Sequence, residues 1–171
     1  MVRVVELAAE AAESQLPGLA EVLLDCVAGG ASVGFMAELT RAEAEDFWRA
    51  TIADMSAGRA HLFAAFDGER AIGTVLLRPS WKPNQPHRAD VAKLLVRQDA
   101  RRGGTASRLM DALEARSIEL GRWLLTLDTA SGSGAEDFYR RRGYVRAGEI
   151  PDYALMPDGA FCATALYYKR L

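Results

Sequence analysis

The segment with the clearest chemical signature runs from Val96 to Ala106, where Arg101, Arg102, Gly103 and Gly104 lie between an apolar stretch and a helical pattern. A helix that begins at a glycine-rich turn leaves backbone N–H groups without intrahelical partners, and its positive dipole end favours an anion. Glycines permit close approach because they carry no Cβ, and the arginines add positive charge. The loop therefore predicts a phosphate or pyrophosphate site, and a tight turn with solvated arginines is the alternative.

Other signatures for nucleotides and metals are missing from the sequence. The loop lacks both the Lys-Ser/Thr pair of a Walker loop and the GxGxxG pattern, which argues against a nucleoside triphosphatase and a dehydrogenase. His61, His87, Cys26 and Cys162 show no metal-ligand spacing such as CxxC or HExxH, so we expect no metal. We expect His61, which lies in a strand pattern, to be structural, and the two cysteines to be free thiols.

The charge is unevenly distributed along the chain. The formal net charge is −2, which argues against general nucleic-acid binding. Residues 1–85 carry 7 basic and 12 acidic side chains, whereas residues 86–171 carry 14 basic and 11 acidic ones. The basic half contains the glycine-rich loop, which fits either an anionic ligand or simply an arginine-rich composition.

Hydrophobic periodicity and turn signals predict the elements that position this loop. Thr40 and Glu43 form a capping box for a helix, and Asp67-Gly68 joins two strands as a hairpin. No apolar run is long enough to span a bilayer, and acidic residues interrupt the N-terminal segment, so we expect a cytoplasmic protein without membrane contact. The predicted order is β-α-α-β-β-β-α-β-α-β-β, with strands at Val2–Leu7, Arg59–Phe66, Arg70–Arg78, Asp90–Val96, Trp123–Leu127, Tyr144–Gly148 and Ala160–Lys169, and helices from Pro17 to Gly29, Arg41 to Met55, Gly104 to Leu120 and Gly134 to Arg142.

Two motifs in this order resemble the GNAT superfamily of N-acetyltransferases. Arg101–Ala106 is similar to its R/Q-x-x-G-x-G/A loop, and Ala135–Tyr144 is similar to its A-x-x-x-Y-x-x-x-G-[FY] segment. The predicted elements agree with the family over essentially the whole chain. The resemblance implies a single domain, residues 1–171, with an α/β fold in which a mixed central sheet of about seven strands is flanked by about four helices.

Four further segments resemble the tabtoxin resistance acetyltransferases within that superfamily: Gly29–Ala37, Lys82–Asn84, Arg88–Asp90 and Pro157–Gly159. Three positions depart from the superfamily pattern. Gln98 replaces a frequent proline, Gly132 replaces an asparagine that contacts the cofactor in many members, and Ala106 replaces a more common glycine.

The resemblance implies acetyl-CoA as cosubstrate. The strand before the loop would pair through its backbone with the pantetheine arm, and the loop would hold the pyrophosphate. The implied cofactor-binding residues are Leu94, Leu95, Val96, Arg101, Arg102, Gly103, Gly104, Thr105, Ala106 and Ser107. The backbone N–H of Val96 is implied as the donor to the oxyanion.

Three side chains are candidates for the chemistry. The resemblance places Tyr139 to protonate the CoA sulfur, and packing in the core is the alternative. Acetyl transfer to an amine also needs a base, and Asp90 and Asp128 are the candidates. Parallel strands joined by one helix are commonly adjacent, so we expect both carboxylates to face one cleft. A solvated strand end for Asp90 and a loop cap for Asp128 are the alternatives.

The acceptor is the least defined part of the prediction. Loop positions concentrate specificity, so Ser32, Phe35, Trp81, Asn84 and Tyr153 are candidate pocket residues. The leading hypothesis is acetylation of a small-molecule amine, such as an amino-acid-like toxin or antibiotic. A protein or peptide N-acetyltransferase and a non-catalytic acetyl-CoA sensor are the alternatives. The resemblance also implies a homodimer.

Overall fold

The computed structural model describes all residues from 1 to 171 and contains seven strands and five helices. The strands are β1 Val2–Leu7, β2 His61–Asp67, β3 Arg70–Pro79, β4 Arg88–Val96, β5 Leu124–Ala130, β6 Val145–Leu155 and β7 Phe161–Arg170. The helices are α1 Ala9–Ser14, α2 Leu16–Ala28, α3 Arg41–Ser56, α4 Thr105–Glu119 and α5 Gly134–Arg141. The predicted α/β class and strand number are confirmed, and the short helix α1 is additional.

The strands form one mixed sheet in the order β1-β2-β3-β4-β5-β7-β6, in which only β4 and β5 run parallel. Helices α1, α2 and α3 pack on one face around the fully buried Trp48. Helices α4 and α5 contribute Leu109, Leu113 and Tyr139 to a second core on the other face. The capping box at Thr40 and Glu43 is confirmed, with the Thr40 N–H donating to the Glu43 carboxylate at 2.8 Å.

Strands β4 and β5 stay together for only three residue pairs: Arg88 with Leu124, Ala89 with Leu125, and Asp90 with Thr126. Beyond Asp90, no residue of β4 pairs with a residue of β5. The middle of the sheet therefore opens toward the carboxyl end of β4, and this opening is the main feature that positions the site.

A β-bulge lies within β4 directly after the paired region. Leu76 of β3 pairs with Ala92 and Thr74 pairs with Leu95, so Lys93 and Leu94 together face the single residue Val75. Lys93 takes a positive φ of 51°, which side chains other than glycine rarely adopt. The bulge rotates the end of β4 relative to its beginning.

Strand β6 extends to Leu155, well beyond the predicted end at Gly148. Pro151 lies within it, and the register with β7 shifts between Ile150 and Ala154. Because β6 is the edge strand, a residue without an N–H is tolerated at an irregular position there. No helix combines the length and apolar character that a membrane crossing requires.

Candidate active site

A cleft of about 1010 Å³ opens where β4 and β5 diverge. Val91–Val96 of β4 and Asp128–Ala130 of β5 form its two sides, and the loop Gly29–Gly34 and the beginning of α5 also line it. The cleft thus contains backbone from two strands that no longer bond to each other.

The backbone of Val96 faces this cleft. The N–H of the next residue, Arg97, donates to the carbonyl of Ile72 at 2.9 Å, and Val96 lies opposite Gly73. Because successive residues of an antiparallel strand direct their amides to opposite sides, the N–H and C=O of Val96 point away from β3. The carbonyl accepts hydrogen bonds from the Cys26 thiol at 3.4 Å and from Arg101 Nε at 3.1 Å.

The glycine-rich loop leads directly into α4. Gly104 is the N-cap residue in the left-handed conformation, with φ of 78°, and no side chain caps the helix. The N–H groups of the first turn therefore have no side-chain acceptor within the protein. Arg101, Arg102 and Ala106 line the cleft, whereas Gly103, Gly104, Thr105 and Ser107 form the turn and the beginning of the helix.

Gly73 lets this helix begin close to the sheet. A Cβ added at Gly73 would lie 2.8 Å from the Leu95 carbonyl oxygen and 3.4 Å from Thr105 Cγ2. A larger residue would push β4 or α4 outward, since the first distance is too short for two atoms that are not bonded. The absence of a side chain at Gly73 therefore permits the close packing of β3 against both β4 and α4.

Gln98, which stands where the superfamily often has proline, ties the loop to the end of α2. Its backbone N–H donates to the Asp25 carboxylate at 2.7 Å, and its side-chain amide donates to the Asp25 carbonyl at 3.0 Å. A proline has no N–H for the first of these bonds. The departure from the superfamily pattern therefore has a structural consequence in this chain.

Asp128 lies in the cleft and is exposed to it. One carboxylate oxygen accepts a hydrogen bond from Thr164 Oγ1 at 3.0 Å. Thr164 lies on the neighbouring strand β7, and no Lys or Arg lies within ion-pair distance of the carboxylate. Asp128 is thus held by a neutral hydroxyl and keeps its remaining lone pairs available.

Asp90 does not line the cleft, contrary to the prediction that both carboxylates face it. Its carboxylate bonds to Arg88 Nη1 at 2.6 Å and accepts from the hydroxyl of Thr126. The physical reason is its position in the last residue pair that joins β4 to β5, before the strands diverge. The structure therefore separates the two carboxylates, and only Asp128 is in the open part.

Tyr139 lines the cleft from α5 with only 7% of its surface exposed. Burial, reinforced by the negative charge of Asp128, raises the pKa of its phenol well above the ordinary value of 10.0. The hydroxyl consequently keeps its proton throughout the physiological pH range. Asp128 and Tyr139 thus supply a proton acceptor and a proton donor to one cleft.

Lys93 is a cleft residue that the sequence analysis did not select. Its Nζ lies 5.9 Å from the ring centroid of Phe35 and 5.3 Å from that of Phe47. Burial and the nearby Arg78 lower the pKa of this amine, while Asp128 acts in the opposite direction. The available signal was a charged residue within an otherwise apolar strand, Val91–Val96.

Ser133 is a second residue that was not selected. It is the N-cap residue of α5 and lines the cleft, and its Oγ is buried without a hydrogen-bond partner. Buried hydroxyls normally have a hydrogen-bond partner, so this oxygen is available to a ligand in the cleft. It follows Gly132, where the superfamily asparagine is missing.

The five predicted acceptor residues divide into two groups. Ser32 and Tyr153 line the cleft, and Phe35 lies beside Lys93. Trp81, which is 79% exposed, and Asn84 do not line it. The reason is that their loop precedes β4, whereas the cleft opens at the other end of that strand.

The remaining polar candidates lie in ordinary structural roles. His61 Nδ1 is 2.8 Å from the Glu6 carboxylate on β1, outside the cleft. Cys26 and Cys162 are free thiols that both line the cleft. No group of three His, Cys, Asp or Glu side chains is arranged to hold a metal ion.

Solved structures with the same fold cover nearly the whole chain. A chain from Acinetobacter baylyi ADP1 has 16% identity and a TM-score of 0.84, covering 100% of this chain and 92% of that one. The ribosomal-protein-alanine N-acetyltransferase from Brucella melitensis has 17% identity and a TM-score of 0.80, covering 99% of both chains. A Salmonella typhimurium structure with its cofactor acetyl-CoA has 10% identity and a TM-score of 0.80, covering 100% and 94%.

The family model described as the acetyltransferase (GNAT) family matches residues 32–144. This range contains β4, the uncapped start of α4, β5 and α5, which together carry the cleft residues Val96, Asp128 and Tyr139. The chain therefore belongs to the acetyltransferase (GNAT) family, whose acetyltransferases use acetyl-CoA.

Proposed function

We propose that this enzyme transfers the acetyl group of acetyl-CoA to the amine of a small molecule. The observation that carries the proposal is the cleft between the diverging ends of β4 and β5, lined both by the Asp128 carboxylate, which has no cationic partner, and by the protonated phenol of Tyr139. A proton acceptor and a proton donor in one cleft are what amide formation from a thioester requires.

The donor groups of the cleft fit acetyl-CoA. The uncapped N-terminus of α4, with Arg101 and Arg102 beside it, would hold the pyrophosphate. The side of Leu94–Val96 that has no strand partner on β5 would bond to the pantetheine arm, and the unsatisfied Oγ of Ser133 would donate to the arm from the start of α5. When bound, acetyl-CoA supplies the activated acetyl carbonyl and the thiolate leaving group.

The side chains of this protein would accept and donate the protons of the reaction. Asp128 would accept a proton from the acceptor's ammonium, either directly or through water, because an ammonium has no lone pair for attack. Tyr139 would hold a proton for the leaving sulfur, and its raised pKa ensures that the phenol is protonated. The Val96 N–H would donate to the carbonyl oxygen on which negative charge develops.

A contact between the loop Gly29–Gly34 and β7 supports a small acceptor. The loop Gly29–Gly34 lines the cleft together with Tyr153, Ala154 and Met156. Ser32 Oγ and Cys162 Sγ approach to 3.8 Å, which brings this loop against β7. An extended peptide would have to displace these contacts, so we propose the small molecule rather than the peptide alternative.

The likeness to tabtoxin resistance acetyltransferases supports an amino-acid-like toxin or antibiotic as the acceptor. Asp90 is not part of this proposal as a base, because its carboxylate is engaged by Arg88 and Thr126. A cytoplasmic location and a homodimer complete the proposal.

A thiol-release assay with acetyl-CoA tests the acceptor class. A panel of small amines, including amino acids and amino sugars, is compared with peptides that carry free N-termini or lysines. We expect amine-dependent thiol release and an N-acetyl product with at least one small amine. Acetylation of peptides alone would favour the peptide alternative, and acetyl-CoA binding without any acceptor would favour the sensor.

A further inference from the structure

Lys93 is held in the cleft by an unusual backbone. The bulge gives it a φ of 51°, a conformation that is unfavourable for a residue with a Cβ. Strained non-glycine residues cluster at ligand sites, where the surrounding structure maintains them. A lysine that only had to reach solvent could do so from a regular strand, without a strained backbone. The strained backbone and the partial burial of Lys93 therefore need another explanation.

The Lys93 ammonium has no anionic partner within the protein. No carboxylate lies within 4.0 Å of its Nζ, and its near neighbours are the rings of Phe35 and Phe47. Arg78, the cation that helps to lower the pKa of Lys93, is itself paired with Asp54 at 2.8 Å. Lys93 is therefore a partly buried cation without a counter-ion, which is a rare and costly arrangement.

Asp128 is a charged residue of opposite sign in the same cleft, and it also lacks a partner of opposite charge. Its carboxylate is bonded to the hydroxyl of Thr164 and has no cationic partner. Asp128 and Lys93 both line the cleft, and the negative charge of Asp128 acts to raise the pKa of the Lys93 amine, yet the two side chains do not form an ion pair. The cleft thus presents one unpaired negative and one unpaired positive charge.

We infer that the acceptor is a zwitterion of the amino-acid type, whose ammonium binds at Asp128 and whose carboxylate binds at Lys93. This inference rests on the proposed function and adds Lys93 as a residue that determines specificity. A bound carboxylate gives Lys93 the counter-ion that it lacks, and an amine alone leaves the lysine unpaired. Phe35 and Phe47, whose rings meet edge to face with centroids 5.4 Å apart, form an apolar wall beside that position.

The test compares free amino acids with their carboxamides, which keep the shape of the acid and remove its negative charge. Steady-state kinetics are measured with acetyl-CoA for the wild type, Lys93→Met and the control Lys82→Met. Lys82 is exposed on the loop before β4, outside the cleft. Acetyl-CoA affinity and the melting temperature are recorded for each protein to show that folding and cofactor binding are intact.

We expect the wild type and Lys82→Met to prefer the free acids by about tenfold or more in kcat/KM, the ratio expected for one charge-assisted contact. Lys93→Met should lose this preference through a higher KM for the acids, with the carboxamides unaffected. Lys93→Arg should restore part of it.

Equal kcat/KM for acids and carboxamides in the wild type would overturn the inference and leave the proposed function intact. Because this comparison needs no variant, it is decisive even if Lys93→Met does not fold. Equal losses for both substrates in Lys93→Met would also overturn it. Failure of every small amine to be acetylated would contradict the proposed function, and the inference would fail with it.

Discussion

The Asp90 carboxylate and the Thr126 hydroxyl form a hydrogen bond across the last residue pair that joins β4 to β5. The two strands diverge immediately beyond this pair, and Asp128 lies two residues farther along β5, on the same face of the sheet as Thr126. The Asp90 carboxylate therefore lies at the end of the paired part of the two strands. The Asp128 carboxylate lies within the cleft and has no cationic partner. Their different surroundings lead to different predictions for the same substitution.

Asp128→Asn should abolish most turnover, because the variant cannot accept a proton from the ammonium. General-base catalysis typically contributes about 100-fold or more to kcat. Acetyl-CoA affinity should not change, since Asp128 is not part of the loop at α4.

Asp90→Asn is the matched control for Asp128→Asn. It removes a charged partner of Arg88 and should lower the free energy of unfolding by about 1 kcal/mol, while turnover is retained. Steady-state kinetics and urea unfolding of both variants provide the comparison. A loss of turnover in Asp90→Asn with Asp128→Asn active would reverse the assignment of the base.

Gly104→Glu should weaken acetyl-CoA binding by about tenfold or more, because it brings a negative charge to a helix N-terminus that is expected to hold pyrophosphate. Gly104 has a positive φ and open space around it, so the added side chain also strains the backbone. Isothermal titration with acetyl-CoA measures the effect.

Gly58→Glu controls for this backbone strain. Gly58 also has a positive φ, of 70°, and open space around it, but it lies after α3 and outside the cleft. We expect a comparable cost in stability and an unchanged Kd for acetyl-CoA. Equal Kd values for both variants would contradict the assignment of the pyrophosphate to this loop.

Tyr139→Phe should lower kcat by about 100-fold without changing the affinity for acetyl-CoA, because it removes the hydroxyl that donates a proton to the leaving sulfur. Tyr144→Phe serves as the control, because its hydroxyl bonds to Glu114 at 3.3 Å and it does not line the cleft. That variant should keep its turnover and lose only some stability. Full activity of Tyr139→Phe would remove the acid role.

Glu136 should make the stability depend on pH in the acidic range. The Tyr167 hydroxyl and the Gly132 N–H, at 2.8 Å, hold the pKa of this carboxyl below its ordinary value of 4.5. A lowered pKa in the folded state contributes stability that is present above pH 4.5 and is lost as the pH falls through the folded-state pKa. Glu136→Gln should therefore cost about 1–3 kcal/mol at pH 7 and progressively less below pH 4.5.

Urea unfolding of Glu136→Gln and wild type at pH 7, and at several values below pH 4.5, checks this dependence. Asp137→Asn is the control, because Asp137 is exposed and pairs only with Arg140, so its loss should cost less than about 1 kcal/mol. A constant difference between Glu136→Gln and the wild type at all pH values would contradict the prediction.

Much of this architecture was predictable from local sequence signals. The capping box at Thr40, the Asp67-Gly68 hairpin and the loop before Thr105 are encoded by a few adjacent residues, and the structure has each of them. The end of β6 was not predictable from such signals, because Pro151 is tolerated only by virtue of the strand's position at the edge of the sheet.

The composition of the site depended on information that local patterns do not contain. Alternation places Asp90 and Asp128 on similar positions of adjacent parallel strands, but the residue at which those strands separate is set by tertiary packing. The bulge at Lys93 arises from the register between β3 and β4, which a single strand does not reveal. The sequence also does not show at which end of β4 the strands separate. Trp81 and Asn84, which precede β4, were therefore expected near the cleft, although the cleft opens at the other end of that strand.

The position of acetyl-CoA between the diverging strands is the central claim, and backbone amide NMR during titration with acetyl-CoA tests it most directly. We predict the largest chemical-shift changes, and slowed hydrogen exchange, at the amides of Leu94, Val96 and residues 104–107. Changes confined to the loop that carries Trp81 and Asn84, or to the far face of β1, would contradict the claim.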